Sequence, residues 1–221
     1  MLHEPLKITI KLDFPAAIDR KSAFDSILAK IYFNRLQAQG LFDGDYQMSL
    51  DFLKMTDGVY HTSFPVFEKD RNMVWYEKGI IMSRMDEKAM LDMVDFGTKM
   101  KPIIGSGKYK ADFYAKELLP YDEVVYYVCG EKRLIADLLS YLTSLGKKSG
   151  WGWGKIKENG IFIETLEEDR SIIHRGKLNR NIPFENSFGY EGEIIAFHRL
   201  THPYWERSGL EACYLPEGGV W

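Results

Sequence analysis

The sequence predicts an α+β fold built on an antiparallel sheet, and three observations carry that prediction. Leu6 to Asp13 alternates apolar and polar residues, which places Leu6, Ile8, Ile10 and Leu12 on one face of a strand. Phe24, Ile27, Leu28, Ile31, Tyr32 and Leu36 recur at helical spacing. Glu123 to Cys129 is a β-branched and aromatic run suited to a central strand buried on both faces. At 221 residues, 45% hydrophobic and 14% aromatic, the chain has ample apolar material for a core.

The elements follow in order. Ser22 is expected to cap the first helix, with Asp25 three residues on as a weaker relative of the capping box, and Gly40 to stop it. Asp51 to Met55 reads as a short helix broken by Gly58. His61 to Phe67 and Met73 to Met82 read as the arms of a β-hairpin turning through the polar residues 68–72, and Tyr109 to Leu118 as a further strand. After Gly130, a helix is expected over Lys132 to Leu145 with Gly146 at its C-terminus. Ile156 and Ile161 to Ile163 continue as a strand or a hairpin turning at Asn159-Gly160. Glu193 to Arg199 and Glu211 to Leu215 are strand candidates.

With the middle set aside, the order is strand, helix, extended hairpin, strand, helix, strand. This is the ferredoxin-like (RRM-like) βαββαβ unit, whose helices cover one sheet face and leave the other free. RNA-recognition domains use that open face for single strands. The chain is read as one domain with a core of about 5–40 and 120–165, an elaborated insertion of about 41–119 and a C-terminal extension of about 166–221.

A formal charge of −3 and a pI near 6.0 argue against a broadly basic coat. The charge is nevertheless segregated. Gly97 to Ala111 holds Lys99, Lys101, Lys108 and Lys110 without an acid, and Arg170 to Phe184 holds Arg170, His174, Arg175, Lys177 and Arg180 without one. Cys129 and Cys213 have no metal-type spacing and sit in apolar runs, so reduced core thiols and a cytoplasmic location are expected. The five histidines are scattered, and neither a metal nor another cofactor is expected. Nothing resembles a secretory leader or the roughly 20 apolar residues of a membrane span, so no membrane partner is expected.

The third acid-free window is Gly146-Lys147-Lys148-Ser149-Gly150-Trp151-Gly152-Trp153-Gly154-Lys155. Its glycines allow tight turns and close approach of backbone amides to an anion, its lysines supply charge for phosphate, and its indoles offer flat faces for bases. One of Trp151 and Trp153 is expected to anchor the loop in the core. Gly105-Ser106-Gly107-Lys108-Tyr109 is no phosphate loop, because Pro102 stands where the first glycine belongs and Tyr109 where Ser or Thr is needed. The glycine loop follows a helix rather than a strand, which excludes a dinucleotide fingerprint.

Leu145 to Ile156 resembles the glycine-rich loop of the RAMP superfamily of CRISPR-associated RNA-binding proteins. Pro5 to Leu12 with the helix at Phe24 to Ala29, and the aromatic turn Pro203-Tyr204-Trp205, are similar to one branch of it, the subunit that caps the 5′ handle in type IV CRISPR effector complexes. The resemblance implies a non-catalytic RAMP domain that grips the 5′ handle of the crRNA. It also implies a place capping the backbone of RAMP subunits, contact with the large subunit, and proximity to target DNA at the protospacer-adjacent motif. On that reading Gly146 to Lys155 cradle the handle, with Lys108, Lys110, His174, Arg175, Lys177 and Arg180 as further RNA contacts. The alternative is a metal-independent crRNA-processing endoribonuclease, for which His61 and His174 are the candidate acid/base residues.

Overall fold

The computed structural model describes residues 2–41, 49–67, 75–81, 112–118, 121–147, 149–192, 195–201, 204 and 208–216, with 75–81 and 112–118 described by their backbone. The chain divides into two compact units, residues 1–72 with 120–221 and residues 73–119.

In the first unit, β1 (Glu4–Leu12) is the middle strand of an antiparallel sheet, between β6 (Glu123–Gly130) and β7 (Ile156–Thr165). Ile8 pairs with Tyr126 and Ile163, so the alternation of β1 is continued on both neighbours. α1 (Phe24–Ala38) and α2 (Lys132–Leu139) both lie on one face. Phe24, Leu28, Ile135 and Leu138 share a core with Leu6, Ile8, Ile10, Val124, Tyr126 and Val128. Phe24 stacks on Tyr126 with ring centroids 4.4 Å apart. α1 ends as a Schellman motif: Gly40 takes φ +67° and donates to Gln37, while Leu41 donates to Leu36.

Four expectations are corrected. The N-cap of α1 is Ala23, without a side-chain cap, and the Ser22 hydroxyl meets that of Ser26 instead. Residues 51–55 form no helix. They turn and bridge β6 through Leu53 and Gly130, leading into the hairpin of β2 (Met55–Thr56) and β3 (Val59–Tyr60). Its turn is Asp57-Gly58, both at positive φ, the type I′ geometry that matches strand twist. The third correction concerns the middle hairpin. His61 to Phe67 runs along the outer edge of β6 through isolated bridges at Thr62–Val128 and Val66–Val125. β4 (Trp75–Ile81) instead pairs with β5 (Asp112–Leu118), and these two strands belong to the second unit. Residues 68–72 lie outside the described ones. Finally, Asn159-Gly160 is no hairpin turn but a bulge inside the continuous strand β7. β1 advances from Ile10 to Leu12 while β7 goes back from Ile161 to Ile156.

The C-terminal residues build a second small core. β8 (Ile173–His174) and β9 (Lys177–Leu178) form a hairpin turning at Arg175-Gly176, again both at positive φ. β10 (Ile182–Pro183), β12 (Glu211–Tyr214) and β11 (Ile195–His198) form a sheet in that order. Val59, Ile172, Leu178, Ile182, Leu200, Cys213 and Tyr214 are buried together.

A buried ion pair joins the first helix to this extension. Asp25 and Arg180 are both fully buried, with Arg180 Nη1 3.4 Å from Asp25 Oδ1. Arg180 also donates to the carbonyls of Tyr60 (2.6 Å) and Leu200 (2.8 Å) and to the Thr62 hydroxyl (3.0 Å). Asp25 accepts from the hydroxyls of Thr62 (2.8 Å) and Tyr204. Burial, reinforced by Asp25, raises the Tyr204 phenol well above its ordinary range, so it remains a donor at any physiological pH. Removing one partner leaves the other charge buried. Arg180→Ala is therefore expected to lower the unfolding free energy by about 3–5 kcal/mol, and the paired Asp25→Leu/Arg180→Met change by less than either single change; urea unfolding measures both.

Candidate nucleic-acid interface

The glycine loop does not follow directly on a helix. α2 ends at Leu139, where the Ser140 hydroxyl bonds back to the Asp137 carbonyl, and the chain then becomes extended. Residues 143–145 pair with the start of β7: Ile156 donates to Thr143 (3.0 Å) and Leu145 to Gly154 (2.8 Å). Leu145 stays in the core, so this short ladder replaces the last helical turn that its spacing suggests.

Two of the four glycines make the base of the loop possible. Gly146 and Gly154 have φ of +84° and +62°. A Cβ on Gly146 would lie 2.4 Å from the Ala17 carbonyl oxygen, and one on Gly154 would lie 1.9 Å from that of Leu145. The base is held to the segment after β1, because Lys147 donates to Ala17 (2.9 Å), Gly154 to Pro15 (2.9 Å) and Asp13 to Lys155 (2.8 Å). The other two glycines form the tip. A Cβ on Gly150 or Gly152 would meet no atom within 4 Å. Ser149, Gly150 and Gly152 are exposed around a 3₁₀ turn over Ser149–Trp151, which Gly152 closes by donating to Ser149 (2.9 Å). Lys147 and Lys155 are exposed on either side of that tip, and Trp153 is half-buried. The amides of Gly152 and Gly154 are engaged within the protein. Lys148 and the Trp151 side chain lie outside the described residues, as do Lys108 and Lys110.

The second basic window divides in two. Arg175 and Lys177 stand exposed at the β8–β9 hairpin tip, whereas Arg180 is the buried partner of Asp25, turned away from solvent because an isolated guanidinium inside needs its countercharge. His174 is half-buried, 6.2 Å from the Tyr127 ring. Burial and its neighbours Arg170 and Arg175 lower its pKa, so it is neutral at pH 7. This hairpin therefore meets the β6 part of the second sheet face. On the β1 and β7 part of that face, Phe162 is 45% exposed with the Lys11 ammonium 4.8 Å from its ring centroid.

His61 is 5% exposed and engaged at both ring nitrogens: Nδ1 is 2.6 Å from Asp169 Oδ2 and Nε2 is 2.9 Å from the Thr56 hydroxyl. Burial alone would raise the Asp169 carboxyl, but hydrogen bonds from His61 and from the Ser171 hydroxyl and amide hold it well below the usual carboxylate range. Cys129 and Cys213 are buried free thiols, each pushed up to about 11, mainly by burial. Among the described residues, no group of three or more His, Cys, Asp or Glu is placed to hold a metal ion, and no helix is long and apolar enough to cross a membrane.

A family model described as CRISPR type IV associated protein Csf3 matches residues 56–216. The chain belongs to the Csf3 family. The match takes in the glycine loop, His61, Asp169 and both hairpin tips, and begins downstream of β1 and α1. Membership gives this Csf3-family chain a role in a type IV CRISPR complex and with it partner subunits. No curated protein matches the chain.

The division of the loop into base and tip has a measurable consequence. Gly154→Ala is expected to cost about 2–5 kcal/mol, from left-handed strain plus a backbone clash, and Gly150→Ala no more than about 0.5 kcal/mol; thermal and urea melts of the two variants test this. Asp169 supplies a pH signature. Its folded pKa is depressed, so its contribution is complete above the unfolded value of about 3.9 and is lost as pH falls through the folded value. Asp169→Asn is expected to lose about 2–3 kcal/mol at pH 7, with the gap to the parent narrowing below about pH 4 in urea titrations.

Proposed function

We propose that the chain is a non-catalytic crRNA-binding subunit that grips the 5′ handle through the tip of the glycine loop and caps the backbone of a type IV effector complex. The observation that carries this reading is the loop itself: a rigid base requiring glycine at 146 and 154, and an exposed tip flanked by Lys147 and Lys155. Single-stranded RNA asks for such a platform, because phosphates need cations near exposed backbone and splayed bases need flat faces. Arg175 and Lys177 at the β8–β9 hairpin tip are further exposed cations for the strand. The large subunit and target DNA near the protospacer-adjacent motif are the further partners of this reading.

We also infer a ferredoxin-like core. The antiparallel order β7–β1–β6, with both helices on one face, supports it, and residues 53–66 bridge β6 where a fourth strand would lie. The alternative, an endoribonuclease, would draw its base from the His61–Asp169 pair, which has the orientation a general base needs. To act, His61 would have to release Thr56 and become exposed.

Lys147→Ala/Lys148→Ala is expected to fold normally and to weaken RNA binding and complex assembly. The slope of log affinity against log salt should fall by about 0.7 for each phosphate that is no longer neutralised, read on the co-purified complex at several salt concentrations. Full affinity and assembly in that variant would remove the loop from the interface. Discrete cleavage of repeat RNA in EDTA, abolished by His61→Ala, would replace the binding reading with the nuclease one.

A further inference from the structure

A cleft beside the glycine loop separates α1 from the chain that follows α2. Ile27, Lys30, Ile31 and Asn34, one helical stripe of α1, form one wall, and residues 141–147 form the other. The two walls are tied together at both ends. At one end Lys147 donates to the carbonyl of Ala17 (2.9 Å), on the segment that leads into α1. At the other, Arg35 of α1 is paired with Asp137 of α2 and lies over the Tyr141 ring, 5.7 Å from its centroid.

The cleft encloses about 390 Å³, in the range of small-ligand sites. Ile18, Ile27, Ile31 and Leu142 line it while packing half-buried against the main core. Lys30 and Lys147 are exposed, and among the described residues neither ammonium has a partner. Asp19 is the one acid among the described lining residues, and its carboxylate already accepts from the Lys21 amide (3.0 Å).

Tyr126 decides what the cleft asks for. It belongs to β6, in the sheet beneath both walls, and its ring stacks on Phe24, so it reaches the cleft by the outer end of its side chain. Tyr126 is fully buried, and among the described residues its hydroxyl has no hydrogen-bond partner. Buried hydroxyls are almost always bonded, so an unpartnered one against a ligand-sized cleft marks a place for an acceptor. Burial also pushes the phenol far above its ordinary range, so it remains a donor at neutral pH, and its apolar surroundings favour an uncharged acceptor.

We propose that this cleft takes one unstacked base of a single-stranded RNA. The base lies between the apolar side chains of α1 and Leu142, and a carbonyl or ring nitrogen on its edge accepts from the Tyr126 hydroxyl. Lys30 and Lys147 meet the flanking phosphates. Two exposed lysines on an apolar cleft favour a polyanion with flat, uncharged bases over a segment of a partner protein. Resting on the RNA-binding reading, the base belongs to the strand held by the glycine loop, with which the cleft shares Gly146 and Lys147.

The test reconstitutes the complex on synthetic crRNAs of the sequence recovered from the co-purified complex, each with one handle nucleotide made abasic. One abasic position is expected to weaken binding about tenfold or more. Tyr126→Phe, which deletes an unbonded hydroxyl and keeps the stack on Phe24, should melt no lower than the parent protein. It should weaken binding of intact crRNA about fivefold or more, and binding of the crRNA abasic at that position not at all. Lys147→Ala/Lys148→Ala should weaken both RNAs alike. A lower melt in Tyr126→Phe, an equal loss on both RNAs, no loss on either, or no sensitive abasic position overturns the proposal. Weakened assembly of Tyr126→Phe with the protein subunits alone, without RNA, assigns the cleft to a protein partner and also overturns it. Full affinity in the lysine variant removes the loop from the interface, whereas the Tyr126 cycle reads the cleft alone, so the two readings fail distinguishably.

Discussion

The buried Asp25–Arg180 pair is the constraint on which the first unit depends. A fully buried guanidinium is tolerable only when its charge is matched, and both terminal nitrogens of Arg180 are bonded to groups from four places in the chain, α1, residues 60–62, Leu200 and Tyr204, while among the described residues its Nε has no hydrogen-bond partner. The strand candidates of the C-terminal extension therefore cannot slide against the first helix without stranding a charge. Asn179 and Asn181 flank Arg180, so the same pair sets where their amides stand. One arginine of an acid-free window thus acts as an internal fastener while Arg175 and Lys177 of that window face water.

Strands and helices whose pattern is repeated over many residues were legible in the sequence. β1, α1 and β6 fall where alternation, helical spacing and the β-branched run place them, because each burial pattern is set by the element's own residues. What was not legible depends on partners far away. Asp25 sits where a capping acid would, yet its partners are 37, 155 and 179 residues distant, and nothing local distinguishes a cap from a buried ion. Asn159-Gly160 carries a strong hairpin dipeptide, but Ile156 and Ile161 both find places on β1, and the dipeptide absorbs the mismatch as a bulge. Asp57-Gly58 forms the turn because its arms are two residues long, too short for alternation to reveal them.

For the candidate site, glycine and lysine content announced the loop, but composition does not say which glycine is needed for what. Only the neighbours do: carbonyl oxygens crowd Gly146 and Gly154, and open space surrounds Gly150 and Gly152. His61 was a candidate acid/base residue by type and position alone, and its partners Asp169 and Thr56, which take both its nitrogens, left no local signal either.

The anchoring of the glycine loop to residues 13–17 has a consequence for the order of folding. Its base closes through bonds that span well over one hundred residues, from Pro15 to Gly154 and from Asp13 to Lys155. Bonds so distant in sequence carry the entropy of a large closed ring and form after local ones. The exposed tip is consequently a late product of the chain's collapse. A nascent chain shows lysines and glycines in a floppy run, and only a chain with its sheet closed presents them as a shaped surface.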